Sequence, residues 1–134
     1  MRRALKLRLL LDTHILLWAL IEPTKLSVRM SALLEDREHE VLFSAASIWE
    51  MSIKAALGRA DFRVSPQTIV DEARSTGFVE LPVRIAAALR VATLPHHHRD
   101  PFDRLLVAQA MTEPATLYTA DAKLEVYSEL VVRV

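Results

Sequence analysis

The sequence predicts an α/β domain: a mainly parallel sheet of about five strands with helices packed on both faces. Three observations predict it. Short apolar runs at Leu9–Leu11, Glu40–Ser44 (EVLFS), Phe78–Leu81, Thr116–Thr119 (TLYT) and Leu130–Arg133 (LVVR) alternate with longer stretches that carry helix start and stop signals. The first run is apolar on both faces, as a strand covered from both sides must be. Acidic residues recur behind these strands or in the first turns of helices, at Asp12, Glu50, Asp103 and Asp121. The carboxyl ends of the strands are where open α/β sheets bind ligands. Parallel neighbours also demand crossover connections, which are right-handed.

Taken in order, Leu9–Leu11 runs into Asp12, and His14–Ile21 follows as a helix apolar on nearly every side. Such a helix is core or is covered by a partner. Asp12 suits its N-cap, because a carboxylate oxygen accepts a free N–H of the first turn. Ser27 caps a second helix to Asp36. After the strand Glu40–Ser44, Ser44 caps the helix Ala45–Leu57, and Gly58 suits the left-handed position beyond its end. On this helix Ile48, Met51 and Ala55 share one face, while Glu50 and Lys54 are neighbours at i, i+4. Ser65-Pro66 is a cap followed by a first-turn proline, and the helix it opens runs to Ser75 and ends at Gly77. Phe78–Leu81 is a short strand, and alanine-rich Val83–Ala92 is a helix that allows close packing. His96–Asp100 is a polar loop, and Asp100-Pro101 opens a helix that runs to Thr112 and stops before Pro114. Thr116–Thr119 leads to Asp121, which suits the cap of a short turn over Ala122–Val126. Leu130–Arg133 closes the sheet at an edge.

Composition bounds the function. A chain of 134 residues predicts one domain over 1–134 and can bury roughly two-thirds of its unfolded surface. Its hydrophobic fraction of 51% fits a folded globular protein. There is no cysteine, so disulfides and thiolate metal sites are excluded and a cytoplasmic location is the default. No apolar run approaches the roughly 20 residues that span a bilayer. Arg2, Arg3, Lys6 and Arg8 precede apolar residues in the outline of a signal peptide. Asp12 and His14 interrupt that run and no small-residue cleavage site follows, which argues against export. Lys plus Arg and Asp plus Glu are 17 each, so no global field draws nucleic acid, and any attraction must come from a local patch. Zero net charge also favours association with a copy or a partner.

The acids carry the chemistry. If the strand reading holds, Asp12, Asp103 and Asp121 project at one sheet edge and Glu50 reaches it from the next helix. Carboxylates gathered in one cleft repel each other unless a cation is present. An Asp/Glu cluster without cysteine suits hard ions such as Mg²⁺ or Mn²⁺. Such an ion lowers the pKa of a bound water and neutralises phosphodiester charge, so the implied reaction is metal-assisted phosphate-ester hydrolysis. On residues alone a bland alternative stays open at each position. Asp12 and Asp121 are also helix caps, Glu50 is also the partner of Lys54, and Asp100, Pro101 and Asp103 also form a capping box.

Four stretches now carry a resemblance: LLLDTHILLW, SAASIWEMSIKAALGR, LPHHHRDPFDRLLVAQA and TLYTADAKLEVY. In this order, and over nearly the whole chain, the sequence resembles the PIN-domain ribonucleases and, among them, the VapC-like toxins of type II toxin–antitoxin pairs. The resemblance implies a three-layer α/β/α sandwich and an acidic pocket that binds Mg²⁺ or Mn²⁺. It places the metal-binding, catalytic acids at Asp12, Glu50, Asp103 and Asp121. Thr13 and Thr119 match hydroxyls beside the site, and Asp100 belongs to the same DPFDR motif as an auxiliary. It further implies an RNA substrate, inhibition by a cognate VapB-like antitoxin, and a homodimer.

Other residues have competing readings. His96, His97 and His98 are adjacent and therefore ill-spaced for zinc; His98 fits the family pattern before DPFDR, which would set it near the pocket mouth, but the preferred reading is a solvated loop histidine. Arg99, Arg104, Lys54 and Arg59 are candidate phosphate contacts, set against a solvated surface role. Trp18 and Trp49 read as core or interface rather than as stacking platforms. Ile15–Ile21, with Leu26 and Val28, is either core or a groove for the antitoxin. Two rival functions stand beside the nuclease. One is a phosphatase or a phospho-accepting receiver domain; a receiver would want an acidic doublet, and the neighbours of Asp12 are Leu11 and Thr13. A non-catalytic PIN-like module would bind a partner without cleaving RNA.

Overall fold

A computed structural model describes residues 7–59 and 64–134, so Arg2, Arg3 and Lys6 lie outside the described residues. Strand β1 (Arg8–Leu11) leads directly into α1 (Thr13–Ile21). A 3₁₀ turn at Pro23–Lys25 and α2 (Val28–Glu35) precede β2 (Glu40–Ser44) and α3 (Ala45–Ala56). Then come α4 (Pro66–Thr76), β3 (Val79–Leu81), α5 (Ile85–Val91) and α6 (Pro101–Thr112). Strand β4 (Thr116–Thr119), a 3₁₀ helix (Ala122–Tyr127) and β5 (Val131–Arg133) complete the described chain.

The expected α/β/α sandwich is the observed one. Five strands lie in the order β3-β2-β1-β4-β5, every neighbouring pair parallel. In register, Leu10 lies opposite Leu42 on one side and Leu117 on the other. All three side chains enter one core layer with Leu81, Leu106, Leu124 and Val131 under α5, α6 and the long 3₁₀ helix. Leu9, Leu11, Val41, Phe43 and Tyr118 point to the opposite layer, packed on Ile15, Leu16, Met30 and Ile69 of α1, α2 and α4. A slip of one residue would exchange these two sets, which pins the register. Helix α3 joins the layers, with Ala46 in the first and Ile48 and Met51 against the second.

The caps act locally as their residue types dictate. Ser27, Ser44, Ser65 and Asp100 each accept a first-turn N–H of the helix they precede. Gly77 closes α4 in the left-handed region at φ 96°. This closure moves one boundary: the Phe78 N–H donates to Ala73 O at 2.9 Å, so it serves the helix end and β3 begins at Val79. No helix among the described residues is long and apolar enough to cross a membrane.

The topology defines the functional edge. From β1 the chain builds outward through β2 to β3, then returns across the sheet to β4 on the other flank of β1. The order therefore reverses between β1 and β4, and a crevice opens at the carboxyl ends of these two strands.

Candidate metal centre

Asp12 closes β1 at this crevice, and its N–H still pairs with Tyr118 O of β4 at 3.0 Å. Its side chain is 4% exposed and does two jobs. Oδ1 accepts the Ile15 N–H at 2.8 Å and caps α1. Oδ2 accepts the Thr119 hydroxyl at 2.6 Å and the Ala120 N–H at 3.3 Å. Burial pushes the carboxyl above the usual range, against the pull of Thr119, Ile15, His14 and Ala120.

Thr13, the first residue of α1, links Glu50 to this edge. Its hydroxyl donates to Glu50 Oε1 at 2.8 Å and lies 3.0 Å from Ser47 Oγ. Glu50 is 6% exposed, and its Oε2 meets Lys54 Nζ at 3.0 Å, so the i, i+4 pair is present.

Asp103 stands in the first turn of α6, where Asp100 Oδ1 accepts the N–H groups of Phe102 (2.8 Å) and Asp103 (3.3 Å). Asp100 is thus the cap and Asp103 is left to face the crevice. Burial pushes the Asp103 carboxyl up to about 7, helped by repulsion from Asp100, Asp12 and Glu50 and opposed by His98.

Asp121 follows β4 and caps the 3₁₀ helix, with Oδ1 accepting the Lys123 N–H at 2.9 Å. Its N–H donates to Thr119 Oγ1 at 3.0 Å, so one hydroxyl ties Asp12 to Asp121. The Lys123 N–H, and after it His98, holds the Asp121 carboxyl below the usual range, with burial acting the other way.

Asp12, Asp103 and Asp121 line one open cleft together with His14 and Trp18. Glu50 lines the adjoining, mainly apolar cleft between α1, α3 and α4, alongside Thr13, Leu17, Met51 and Ile69. Its Oε1 is held by Thr13, the residue after Asp12, and its charge repels Asp103. This donor set fits a hard divalent cation, because the buried Asp12 and half-buried Asp103 carboxyls are driven toward their neutral forms and a nearby cation would reverse that.

Several expectations change on the structure. His98 is no solvated loop residue: its side chain is 16% exposed, and Nε2 lies 3.0 Å from Asp121 Oδ2 and 3.7 Å from Asp103 Oδ2. His96 and His97 do not join it, and the His97 ring packs edge-on to Tyr127 at 5.2 Å. Arg104 does not present its guanidinium as a phosphate contact. The residue is buried, and Nη1 and Nη2 donate to the carbonyls of Pro95, Val91 and Leu94 and to the Tyr127 hydroxyl. A buried arginine in this setting has no sequence signal, since DPFDR reads alike whether the side chain turns in or out. Arg99 is exposed and makes no hydrogen bond or ion pair with the described residues, while Arg59 is exposed just past α3. Trp49 is 58% exposed rather than core and meets Phe102 edge to face at 5.3 Å. Ile15, Leu16 and Leu17 of α1 are core, Trp18 to Ile21 are half-buried, and Val28 is fully open to solvent.

The family model described as PIN domain matches residues 9–130. No curated protein matches the sequence. Similar solved structures include VapBC2 from Rickettsia felis bound to a DNA fragment from their promoter, at 16% identity and TM-score 0.69, covering 96% of this chain and 98% of that one. DNA-bound VapBC from Salmonella typhimurium is similar at 12% identity and TM-score 0.65, over 96% of this chain and 97% of that one. FitAcB from Neisseria gonorrhoeae is similar at 21% identity and TM-score 0.56, over 87% and 89% of the two chains.

Proposed function

The chain belongs to the PIN-domain family, and from that premise we propose that it is a Mg²⁺- or Mn²⁺-dependent endoribonuclease, a VapC-like toxin whose activity a VapB-like antitoxin suppresses. The observation that carries the reading is the state of Asp103: Asp12, Glu50 and Asp100 all act on its carboxyl, which burial and repulsion push up to about 7. Such a cluster is costly unless it serves a cation.

In this reading Asp12, Glu50, Asp103 and Asp121 are the catalytic, metal-holding acids, and one PIN domain spans 1–134. A bound divalent cation supplies polarisation of water and neutralisation of phosphodiester charge. The chain's own groups prepare the place. Thr119 and the Ala120 N–H orient Asp12 Oδ2, Thr13 orients Glu50 Oε1, and Lys54 balances the second Glu50 oxygen. Asp100 holds the first turn of α6 and with it the place of Asp103. Exposed Arg99, next in the chain to His98, supplies a local cation for RNA phosphate, which a chain of zero net charge needs. The fold likeness to VapBC and FitAcB structures supports an antitoxin partner, and the reading takes the chain as a homodimer in a cytoplasmic setting.

The test is cleavage of a mixed RNA pool by antitoxin-free protein with Mg²⁺ or Mn²⁺, with EDTA, and with Asp12→Asn. Cleavage abolished by both EDTA and the substitution is expected. Cleavage that survives both overturns the reading. No cleavage of any RNA by the antitoxin-free protein would favour a non-catalytic binding module.

A further inference from the structure

We propose that His98 is a positioning residue of the acidic centre that donates from Nε2 and does not ligate the cation, so that the centre offers oxygen ligands only. The proposal deepens the reading above and rests on it for its cation measurements alone.

The loop that carries His98 is clamped from beneath. The Tyr127 hydroxyl oxygen accepts the N–H groups of His97 (3.1 Å) and His98 (2.8 Å), and it accepts Arg104 Nη1 at 3.1 Å. The same guanidinium ties down Pro95 O at 2.8 Å and Val91 O at 3.1 Å. The His98 backbone is therefore fixed from two neighbouring elements, α6 and the 3₁₀ helix.

Within this loop the Asp100 N–H donates to His98 Nδ1 at 3.0 Å. Nδ1 must then present a lone pair, and a neutral imidazole carries its one proton on the other nitrogen. That nitrogen, Nε2, faces Asp121 Oδ2 at 3.0 Å and Asp103 Oδ2 at 3.7 Å. It is thus an N–H aimed at two carboxylates.

Proximity alone suggests a different role. The ligand-type atoms of His98, Asp103 and Asp121 lie within 4.8 Å of one another. A histidine ligand needs the lone pair on its metal-facing nitrogen, so the proton would have to move to Nδ1. There it would point at the Asp100 N–H, donor against donor. Asp100 cannot turn away cheaply, because its side chain caps α6. The backbone thus holds His98 as a donor. The centre is left to hard cations that accept all-oxygen coordination, and metals that favour imidazole gain nothing from the nearby ring.

The test begins with ¹⁵N-histidine-labelled protein. Long-range ¹H–¹⁵N correlations of the imidazole rings are recorded before and after Mg²⁺, with the His98 signals assigned by their loss in His98→Gln. The expected result is a proton on Nε2 and none on Nδ1 in both states. A proton on Nδ1, or loss of the Nε2 proton on adding Mg²⁺, overturns the proposal. Mn²⁺ affinity supplies a second readout. His98→Gln returns an amide N–H near the Nε2 position and is expected to bind within about threefold of the unsubstituted protein. His98→Asn and His98→Ala are expected to bind roughly 10–100-fold more weakly, the usual loss when an outer partner of a ligand is removed. A Gln variant as weak as the Ala variant, each folded by its thermal melt, overturns the positioning role. The two readings fail separately: EDTA-sensitive cleavage with a proton on Nδ1 sinks this proposal alone, and an Nε2 proton in a protein that binds no Mn²⁺ sinks the nuclease reading alone.

Discussion

Asp103 is where burial and charge conflict most directly. Its folded pKa is raised from 3.8 to about 7, so the folded chain holds this proton more tightly than the unfolded chain does. The linked stability is fully present below the unfolded value and is lost as pH rises through about 7. At 1.36 kcal/mol per unit, the metal-free protein gives up roughly 4 kcal/mol at most across that window. Asp103→Asn has no proton to lose. In EDTA its stability advantage over the unsubstituted protein should therefore grow between pH 4 and pH 8 in urea melts, and a constant gap would sink the assignment. Cation binding must displace the same proton, so Mn²⁺ affinity measured by calorimetry should fall about tenfold per pH unit below about 7. Arg104 makes the opposite case, a charge wholly engaged by its own chain. Arg104→Ala strips donors from the carbonyls of Val91, Leu94 and Pro95 and from Tyr127. A loss of about 3 kcal/mol is expected, and lysine should not restore it, because one ammonium cannot span acceptors on a fork. If stability held and only RNA affinity fell, Arg104 would be a phosphate contact after all.

The elements owe their ends to short-range chemistry, which is why they were legible in the chain. Ser27, Ser44, Ser65 and Asp100 cap the helices they precede, and Gly77 terminates α4. At Gly77 a Cβ would meet no heavy atom within 4 Å, so the cost of Gly77→Ala is backbone strain at φ +96° alone. That cost should be about 1–2 kcal/mol by thermal melt, and an unchanged midpoint would contradict it. The exposure of a helix face was less legible. Trp49 sits in an apolar stretch of α3, yet it is 58% exposed and meets Phe102 of α6 edge to face. Trp49→Ala should cost no more than about 1.5 kcal/mol, the scale of one aromatic pair, far below a core truncation. The strand starts one residue after Phe78 for a related reason: the Phe78 N–H closes the preceding helix instead of entering the ladder.

At the scale of the molecule, the reversal of strand order between β1 and β4 assembles the centre. Any cation bound there links carboxylates from separate elements and stabilises the whole chain. At a concentration 100-fold above its dissociation constant, Mn²⁺ should add about 2.7 kcal/mol, reversed by EDTA and absent in Asp12→Asn. A thermal midpoint indifferent to the ion would argue that the acids do not act together. What the sequence determined by itself is the alternation of strands and helices and their caps, because each signal lies within a few residues. The convergence of those acids belongs to the tertiary structure. Thr119 reaches Asp12 across a separation of 107 positions, and His98 reaches Asp121 across 23. The inward turn of Arg104, the outward face of Trp49 and the donor role of His98 were likewise decided there. In each, the side chain's role depends on a partner from another element, and only the packing of the sheet and its two helical layers brings that partner within reach.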